Sequence, residues 1–139
     1  MDILVIDAQG GGIGRQLVTK LTERLPEAEI VAAGTNSMAT NAMVKAGAKR
    51  AATGENAIGF CAARAQIITG PIGILVANAM LGEITPTIAE SVGTSEVPKV
   101  LVPTAYCNVM IAGTKELPVK ECIEDAVDRI VRMYSRGNN

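Results

Sequence analysis

A short apolar run followed directly by a cluster of glycines is the feature that most restricts what this chain can fold into. Residues 3–6 are continuously apolar, and an apolar run that ends at glycines is typical of a strand buried on both faces. Apolar side chains then recur at helical spacing until Pro26 ends the pattern. Four glycines lie at the junction: Gly10, Gly11, Gly12 and Gly14. The sequence therefore predicts a buried strand, a glycine turn and a helix.

The predicted glycine turn suits a phosphate group. Glycines let a phosphate approach backbone amides without meeting a Cβ atom, and the start of a helix carries a partial positive charge. The alternative is that the glycines only permit a tight turn and close packing of helix on sheet. Because four glycines within five residues exceed what a turn needs, we predict that the segment binds the phosphate of a nucleotide-like ligand. The predicted binding residues are Gly10, Gly11, Gly12, Ile13, Gly14 and Arg15.

Strand and helix patterns alternate along the rest of the chain. Further strands are predicted at 29–33, 49–53, 66–69, 99–103 and 108–112, and further helices over 38–46, 54–64 and 74–81, from 85 onward, and over 119–136. Such alternation with short connections indicates an α/β fold. We expect a single domain over residues 1–139, a doubly wound, mostly parallel, Rossmann-like sheet with helices on both faces.

Two further segments follow predicted strands and complete the predicted site. Thr35, Asn36 and Ser37 follow the second strand, where NAD sites usually have a carboxylate that holds the ribose. Hydroxyl and amide groups without a carboxylate would tolerate a 2′-phosphate, so NADP is the preferred cofactor; alternatively, Thr35 or Ser37 only caps the next helix. The fourth strand leads into a second predicted glycine turn, formed by Gly70, Pro71, Ile72 and Gly73. Ligands bind near such strand ends in open sheets.

Two carboxylates lie close to these segments. Asp7 follows the first strand, where it could hold a metal or act as a base, or equally brace the turn by accepting backbone amides. Glu83 could reach a substrate, but we expect it to be a solvated residue at a helix end. We predict no metal site, and no catalytic residue is identified.

The glycine string resembles three known phosphate-binding patterns and departs from each. Compared with GxGxxG, it has Arg15 in place of the last glycine. Residues 12–15 resemble the end of the TGxxxGIG turn of short-chain dehydrogenases, but the residue four after Tyr106 is Met110, so the family's YxxxK motif is absent. Residues 9–16 resemble the GKGGVGKT P-loop of a class of ATPases without its lysines and hydroxyl residue. The string indicates a ligand class and not a reaction.

Composition removes several classes of function. The chain has no histidine, which excludes imidazole-based catalysis and the commonest metal ligand. A net charge of −1, with two tyrosines and one phenylalanine, gives neither a basic surface nor a stacking platform for nucleic acid. The three cysteines match neither CxxC nor a metal-binding spacing, so we do not expect a reactive Cys107. No apolar run is long enough for a membrane span or signal peptide, and we expect a cytoplasmic protein.

Three strings, at residues 34–43, 70–73 and 82–86, resemble a small family of bacterial domains of unknown function. The resemblance covers nearly the whole chain and implies no activity, cofactor or catalytic residue. We therefore expect a nucleotide-binding module, such as a sensor or regulatory protein, that binds NADP(H) or a related nucleotide and forms a homodimer. The alternatives are a small NAD(P)-dependent oxidoreductase completed by a partner or second subunit, and a non-catalytic structural subunit of an assembly.

Overall fold

Strands and helices alternate throughout the part of the chain that the structure, a computed structural model, describes: residues 1–104 and 108–137. The strands are β1 (Ile3–Asp7), β2 (Ile30–Gly34), β3 (Arg50–Thr53), β4 (Ile67–Pro71) and β5 (Lys99–Val102). The α-helices are α1 (Gly12–Arg24), α2 (Ser37–Lys45), α3 (Glu55–Ala62), α4 (Pro86–Gly93) and α5 (Val119–Gly137), and a 3₁₀ helix, Ile72–Leu75, follows β4. The predicted first five strands are therefore confirmed, with small shifts of their ends.

The five strands form one parallel sheet in the order β3-β2-β1-β4-β5. Ile3 of β1 lies opposite Ile30 of β2 on one side and opposite Ile67 of β4 on the other. The chain thus winds outward from β1 in one direction, then returns to the other side of β1 and winds the opposite way. This confirms the doubly wound α/β prediction. Because all strands are parallel, the segments that follow β1, β2 and β4 meet at one edge of the sheet, and the winding reverses between β1 and β4.

Helices cover both faces of the sheet, as predicted. Side chains of β1 alternate between the faces, and all five of its residues are buried. Ile3 and Val5 pack in a cluster with residues of α1 and α5, whereas Leu4 and Ile6 pack with residues of α3 and α4. A fully buried aliphatic side chain of this kind contributes about 1.5–3 kcal/mol. The two apolar clusters pack the helices against the two faces of the sheet and so fix the positions of the strand ends from which the loops begin.

Helix α5 packs one apolar stripe against the fold. Ile123, Val127 and Ile130 have no exposed surface, and contacts join α5 to α1 and β5. This is the sheet-covering role predicted from its spacing. Among the described residues, no helix combines the length and the apolar character that crossing a membrane requires.

The helix predicted over residues 74–81 is wrong. Only the short 3₁₀ helix forms there, and a compact loop, residues 76–85, then leads to α4. Asn78, Met80 and Leu81 adopt positive φ angles, which an α-helix does not allow. Ile74 and Ala79 are nevertheless buried, although the backbone of this stretch is not α-helical. An apolar run does not distinguish a helix from a packed loop.

The strand predicted at residues 108–112 is also wrong. These residues are all exposed, they pair with no strand in the described part of the chain, and Asn108 has a positive φ of 59°. A strand requires a neighbour that satisfies its backbone hydrogen bonds, and an apolar run alone does not supply one. The residues Tyr106 and Cys107, weighed in the sequence comparison, lie outside the described residues.

Candidate functional site

Two of the glycines after β1 are required by the fold. Gly11 is the N-cap of α1 with a φ of 72°, and a Cβ atom there would lie 2.9 Å from the backbone Cα of Ala39. At Gly14 a Cβ atom would lie 2.7 Å from Sδ of Met43 and 2.9 Å from Cβ of Asp7. These two glycines therefore permit the turn and the close packing of α1, which is the alternative considered from the sequence.

The other two glycines, Gly10 and Gly12, have no such role. Both are exposed, and neither has a positive φ. Apart from its chain neighbours and the adjacent backbone of α1, a Cβ atom built at either position has no heavy atom of the described residues within 4 Å. A side chain at either position would therefore extend into open space near the start of α1. Glycine at these two positions leaves room for something that is not part of the described fold.

Asp7 braces the turn from inside. Its Oδ1 accepts a 2.7 Å hydrogen bond from the amide of Ala8, and its Oδ2 accepts one of 2.7 Å from the amide of Gly14. The side chain is buried. Burial raises the pKa of the Asp7 carboxyl by more than the two amide hydrogen bonds lower it, and the charge of Glu83 raises it further. Of the roles open from the sequence, bracing is the one these contacts support.

The segment after β2 is tied to the glycine turn through Asn36. Asn36 is the N-cap of α2, where its Oδ1 accepts from the amide of Ala39 at 2.9 Å. Its Nδ2 donates to the backbone oxygen of Gln9 at 3.0 Å. The capping residue is thus Asn36, whereas the sequence suggested Thr35 or Ser37. The loops after β1 and β2 are in direct contact.

The carboxylate of Glu83 lies between these two loops. Its Oε1 accepts hydrogen bonds from the amide of Gln9 at 2.9 Å, from Oγ1 of Thr35 at 2.7 Å and from Nδ2 of Asn36 at 2.8 Å. Burial raises the pKa of the Glu83 carboxyl, but these three hydrogen bonds outweigh burial and hold it below its ordinary value. The expectation of a solvated helix end is therefore wrong, because Glu83 belongs to the candidate site.

The loop of residues 76–85 holds Glu83 in place. Its backbone closes on itself, since the amide of Asn78 donates to the oxygen of Ile84 at 2.7 Å and that of Glu83 donates to the oxygen of Met80 at 3.2 Å. Ile84 is fully buried. The left-handed backbone of Met80 costs about 1–2 kcal/mol, an expense that packed surroundings must offset. The loop is compact and anchored on both sides of the carboxylate.

The segment after β4 is built differently from the predicted glycine turn. Gly70 and Pro71 belong to the strand itself, and Ile72 and Gly73 begin the 3₁₀ helix. A Cβ atom at Gly70 would lie 2.2 Å from the backbone oxygen of Ile6, so the close approach of β4 to β1 requires glycine there. Gly70, Pro71 and Gly73 are buried. This segment is therefore a buried part of the fold next to the point where the winding of the sheet reverses, and it is not a second exposed glycine loop.

Arg15 lines an open cleft of about 530 Å³ between α1 and α2. Its walls contain two cations and no carboxylate, and the lining residues are Arg15, Ser37, Met38, Asn41, Ala42 and Lys45. Of the predicted site residues, the structure joins Thr35 and Asn36 to the glycine turn and places Arg15 with Ser37 on this cleft. The side chain of Ile13 packs partly into the core instead.

Sequence reasoning missed Gln9 and Glu83 as site residues. Gln9 contributes only its backbone, and no pattern in the side chains marks it. Glu83 stands 48 residues from Thr35, and its contact depends on the path of a loop that has no regular structure. The one available signal is that Glu83 lies within the string 82–86, which supported the family resemblance.

A family model described as a domain of unknown function, DUF3842, matches residues 2–135, almost the full length of the chain. The chain belongs to this family. The match confirms membership of a family without an assigned activity, as the resemblance implied. No curated protein matches the chain.

Two solved structures match this DUF3842 chain in a comparison of structures. Triphenylmethane reductase from Citrobacter sp. has a TM-score of 0.52 at 16% identity over 96% of the chain. The chain covers 46% of that reductase, so it spans less than half of its length. A dodecameric FMN-dependent UbiX-like decarboxylase from Escherichia coli O157:H7 has a TM-score of 0.48 at 13% identity, with 97% of this chain and 94% of that chain covered. At such identities the first likeness establishes a shared fold only.

Proposed function

We propose that this protein is a nucleotide-binding module whose ligand places a phosphate against the backbone at Gly10 and Gly12. The observation that supports this proposal is that these glycines face open space where the described fold does not require glycine. The turn lies after β1, at the edge where the winding of the sheet reverses. Ligands of open α/β sheets bind in the crevice at that point.

The N-terminus of α1 is available to an anion. The first amides of a helix have no partner within the helix, and together they carry a partial positive charge. The Gly11 cap makes no side-chain hydrogen bond to the helix, and its first turn contains no acidic residue. The amide of Gly14 donates to Asp7 and that of Gly11 donates to Ala8, whereas the amides of Gly10 and Gly12 have no hydrogen bond to the described residues. A phosphate at this position would gain charge-assisted hydrogen bonds.

A second candidate within this class is NADP(H), which the sequence favours. The premise of that preference was the lack of a carboxylate near Thr35, and Glu83 supplies one. The cleft with Arg15 and Lys45 supports a 2′-phosphate, because guanidinium and ammonium groups neutralise phosphate. The carboxylate of Glu83 therefore favours a free 2′-hydroxyl on a bound ribose, whereas the cations of the cleft favour a 2′-phosphate.

No reaction is proposed, because none of the described contacts activates a nucleophile or a base beside the crevice. A sensor or regulatory role fits a binding site of this kind.

We further propose that the protein is a homodimer, since the sheet has an edge strand at each side, β3 and β5, and exposed edges favour association. Light scattering measures the assembly directly.

Calorimetric titration with ADP, NAD⁺ and NADP⁺ tests the proposed function. We expect the wild-type protein to bind at least one of these nucleotides and Gly12→Asp to lose binding, because its carboxylate would repel the phosphate. An acidic residue in the first turn of a helix usually stabilises it by about 0.3–1 kcal/mol. Lost binding together with unchanged or increased stability therefore separates ligand repulsion from misfolding.

A matched control is Thr87→Asp, which places the same charge in the first turn of α4 at an exposed position. This variant should retain nucleotide binding. If the wild-type protein bound none of the three nucleotides, or if Gly12→Asp bound them as well as the wild type did, the proposed site would be wrong.

A further inference from the structure

Glu83 occupies the place at which Rossmann-type sheets hold the ribose of a nucleotide. In such proteins a carboxylate at the end of the second strand accepts the ribose hydroxyls, between that strand and the glycine turn. Here the residues at the end of β2 are Thr35 and Asn36, and both donate to the carboxylate of Glu83. The third donor is the amide of Gln9, immediately before the glycine turn. A carboxylate is thus present at the expected position, but it comes from the loop after β4.

One oxygen of this carboxylate remains available. An ionised carboxylate offers about four acceptor sites on its two oxygens. All three hydrogen bonds from the described residues end on Oε1, and none ends on Oε2. The side chain is half-buried, so Oε2 can accept hydrogen bonds from a ligand. The three donors fix the direction of the group before any ligand arrives, which lowers the entropy cost of binding.

The loop that carries Glu83 is arranged to present it. Three residues without a glycine's freedom, Asn78, Met80 and Leu81, have positive φ angles within four positions. Side chains on both sides of the turn, Ala79 and Ile84, are buried in the core. Backbone strain that a packed loop maintains often marks a functional position. In this loop the result of the unusual backbone is the placement of one carboxylate against two other loops.

We infer, on the basis of the proposed nucleotide site, that Glu83 is its ribose-recognition residue, accepting hydrogen bonds from the free 2′- and 3′-hydroxyls of the bound nucleotide. The ligand class is therefore a nucleotide with an unmodified ribose, for which ADP and NAD⁺ serve as probes. A 2′-phosphate would bring a second anion beside an ionised carboxylate and lose the hydroxyl donor. The site then disfavours NADP⁺ despite the cations in the neighbouring cleft.

The opposite role, a latch that a ligand phosphate displaces, fits the loop less well. A latch opens, whereas this loop closes through its own backbone hydrogen bonds and is held by the fully buried Ile84. A displaced carboxylate would also leave the hydroxyl of Thr35 and the amide of Gln9 without their described acceptor. The two roles predict opposite effects of removing the carboxylate, so one experiment separates them.

The experiment compares ADP with 2′-deoxy-ADP, and NAD⁺ with NADP⁺, by calorimetry on the wild-type protein and on Glu83→Gln and Glu83→Ala. Hydrogen bonds to a charged group correspond to about a 10- to 100-fold change in affinity. We expect wild type to bind ADP and NAD⁺ more tightly than their 2′-modified counterparts by a factor in this range. In both variants the preference should fall to about twofold or less, while 2′-deoxy-ADP still binds at the glycine turn.

The outcomes separate this inference from the proposed function. Binding of all four nucleotides without a 2′ preference in wild type, or a preference that persists in Glu83→Ala, would overturn only the role of Glu83. Tighter binding of every nucleotide by Glu83→Ala would identify a latch and would overturn it too. If no nucleotide bound to wild type, the proposed function itself would fail. The wild-type comparison does not depend on whether the variants fold.

Discussion

The carboxylate of Glu83 accepts a 2.7 Å hydrogen bond from the hydroxyl of Thr35, 48 residues away in the chain. This contact joins the loop after β4 to the loop after β2, and both lie at the carboxyl edge of a parallel sheet. The neighbouring contact to the amide of Gln9 adds the loop after β1. Three loops that the sheet brings to one edge are therefore connected through one side chain, and binding and stability at this edge are coupled.

The coupling between Glu83 and Thr35 is measurable as a free energy. We expect Glu83→Ala to lower the free energy of unfolding by about 1–2 kcal/mol, because it removes three hydrogen bonds at a half-buried position. A double-mutant cycle with Thr35→Val, measured by urea unfolding, should give an interaction energy of about 0.5 kcal/mol or more. Additive effects would show that the contact has no energetic weight.

The control cycle pairs Thr35→Val with Glu124→Gln on α5. Glu124 forms an ion pair with Lys20 of α1 and has no described contact with the loops at the sheet edge. The two changes should therefore be additive within about 0.5 kcal/mol.

The four glycines of the turn should separate into two pairs by stability. We expect Gly11→Ala and Gly14→Ala to destabilise the protein by about 1–3 kcal/mol, because a Cβ atom at either position meets atoms within 3.0 Å. Gly10→Ala and Gly12→Ala should be neutral or stabilising by up to about 1 kcal/mol, since the methyl group meets open space and the unfolded chain loses freedom. Thermal or urea unfolding provides the measurement.

Nucleotide affinity should order the same variants differently. At Gly10 and Gly12 the methyl group occupies the space that we assign to the phosphate, so binding should weaken although the fold is intact. Equal stability losses at all four positions would show instead that the glycines serve the turn alone. Unimpaired binding by both outer variants would contradict the phosphate position.

The pH dependence of stability follows from the shifted pKa of Glu83. Its folded-state pKa lies below the ordinary value of 4.5, so its contribution is fully present above that pH and is lost as the pH falls through the folded value. Asp7 acts in the opposite sense: its pKa is raised above 3.8, so its contribution is present below that pH and is lost as the pH rises through the folded value.

We therefore expect the stability difference between wild type and Glu83→Gln to be largest near neutral pH and to shrink under acid conditions. Urea unfolding across the acid range measures this difference. Glu23→Gln, at an exposed position on α1, is the matched control for loss of one carboxylate. A difference that grew as the pH fell would contradict the direction of the Glu83 shift.

Side-chain patterns determined most of the fold. Strand β1 is recognisable as a continuous apolar run because it is buried on both faces, and helix α5 shows a helical period because it is buried along a single stripe. The side-chain patterns gave wrong predictions where the backbone conformation depends on tertiary packing and not on a local repeat. Within residues 74–81 only Ile74 and Ala79 are buried, and Leu81 is almost fully exposed, whereas the apolar residues 109–112 are all exposed.

The candidate site was predictable in its glycine turn and not in its charge. The turn is local, and its residues are adjacent in the chain. The carboxylate at the end of β2 depends on a contact between Glu83 and residues of two distant loops. Thr35, Asn36 and Ser37 include no carboxylate, and the local sequence could not show that Glu83 supplies one. The preference for NADP followed from that apparent lack of a carboxylate.

Arg15 decides between the two ligands within the proposed class. If the cleft held a 2′-phosphate, Arg15→Ala would weaken NADP⁺ binding by about 10- to 100-fold and leave NAD⁺ unchanged, because a charge-assisted contact to that phosphate would be lost. We place the ribose at Glu83, so Arg15 acts on either ligand only through a screened charge. We therefore expect Arg15→Ala to weaken both only slightly, far less than the loss of a direct contact would, with Lys45→Ala behaving alike. Calorimetry at two salt concentrations measures both affinities, and a selective loss of NADP⁺ would assign the cleft to the 2′-phosphate.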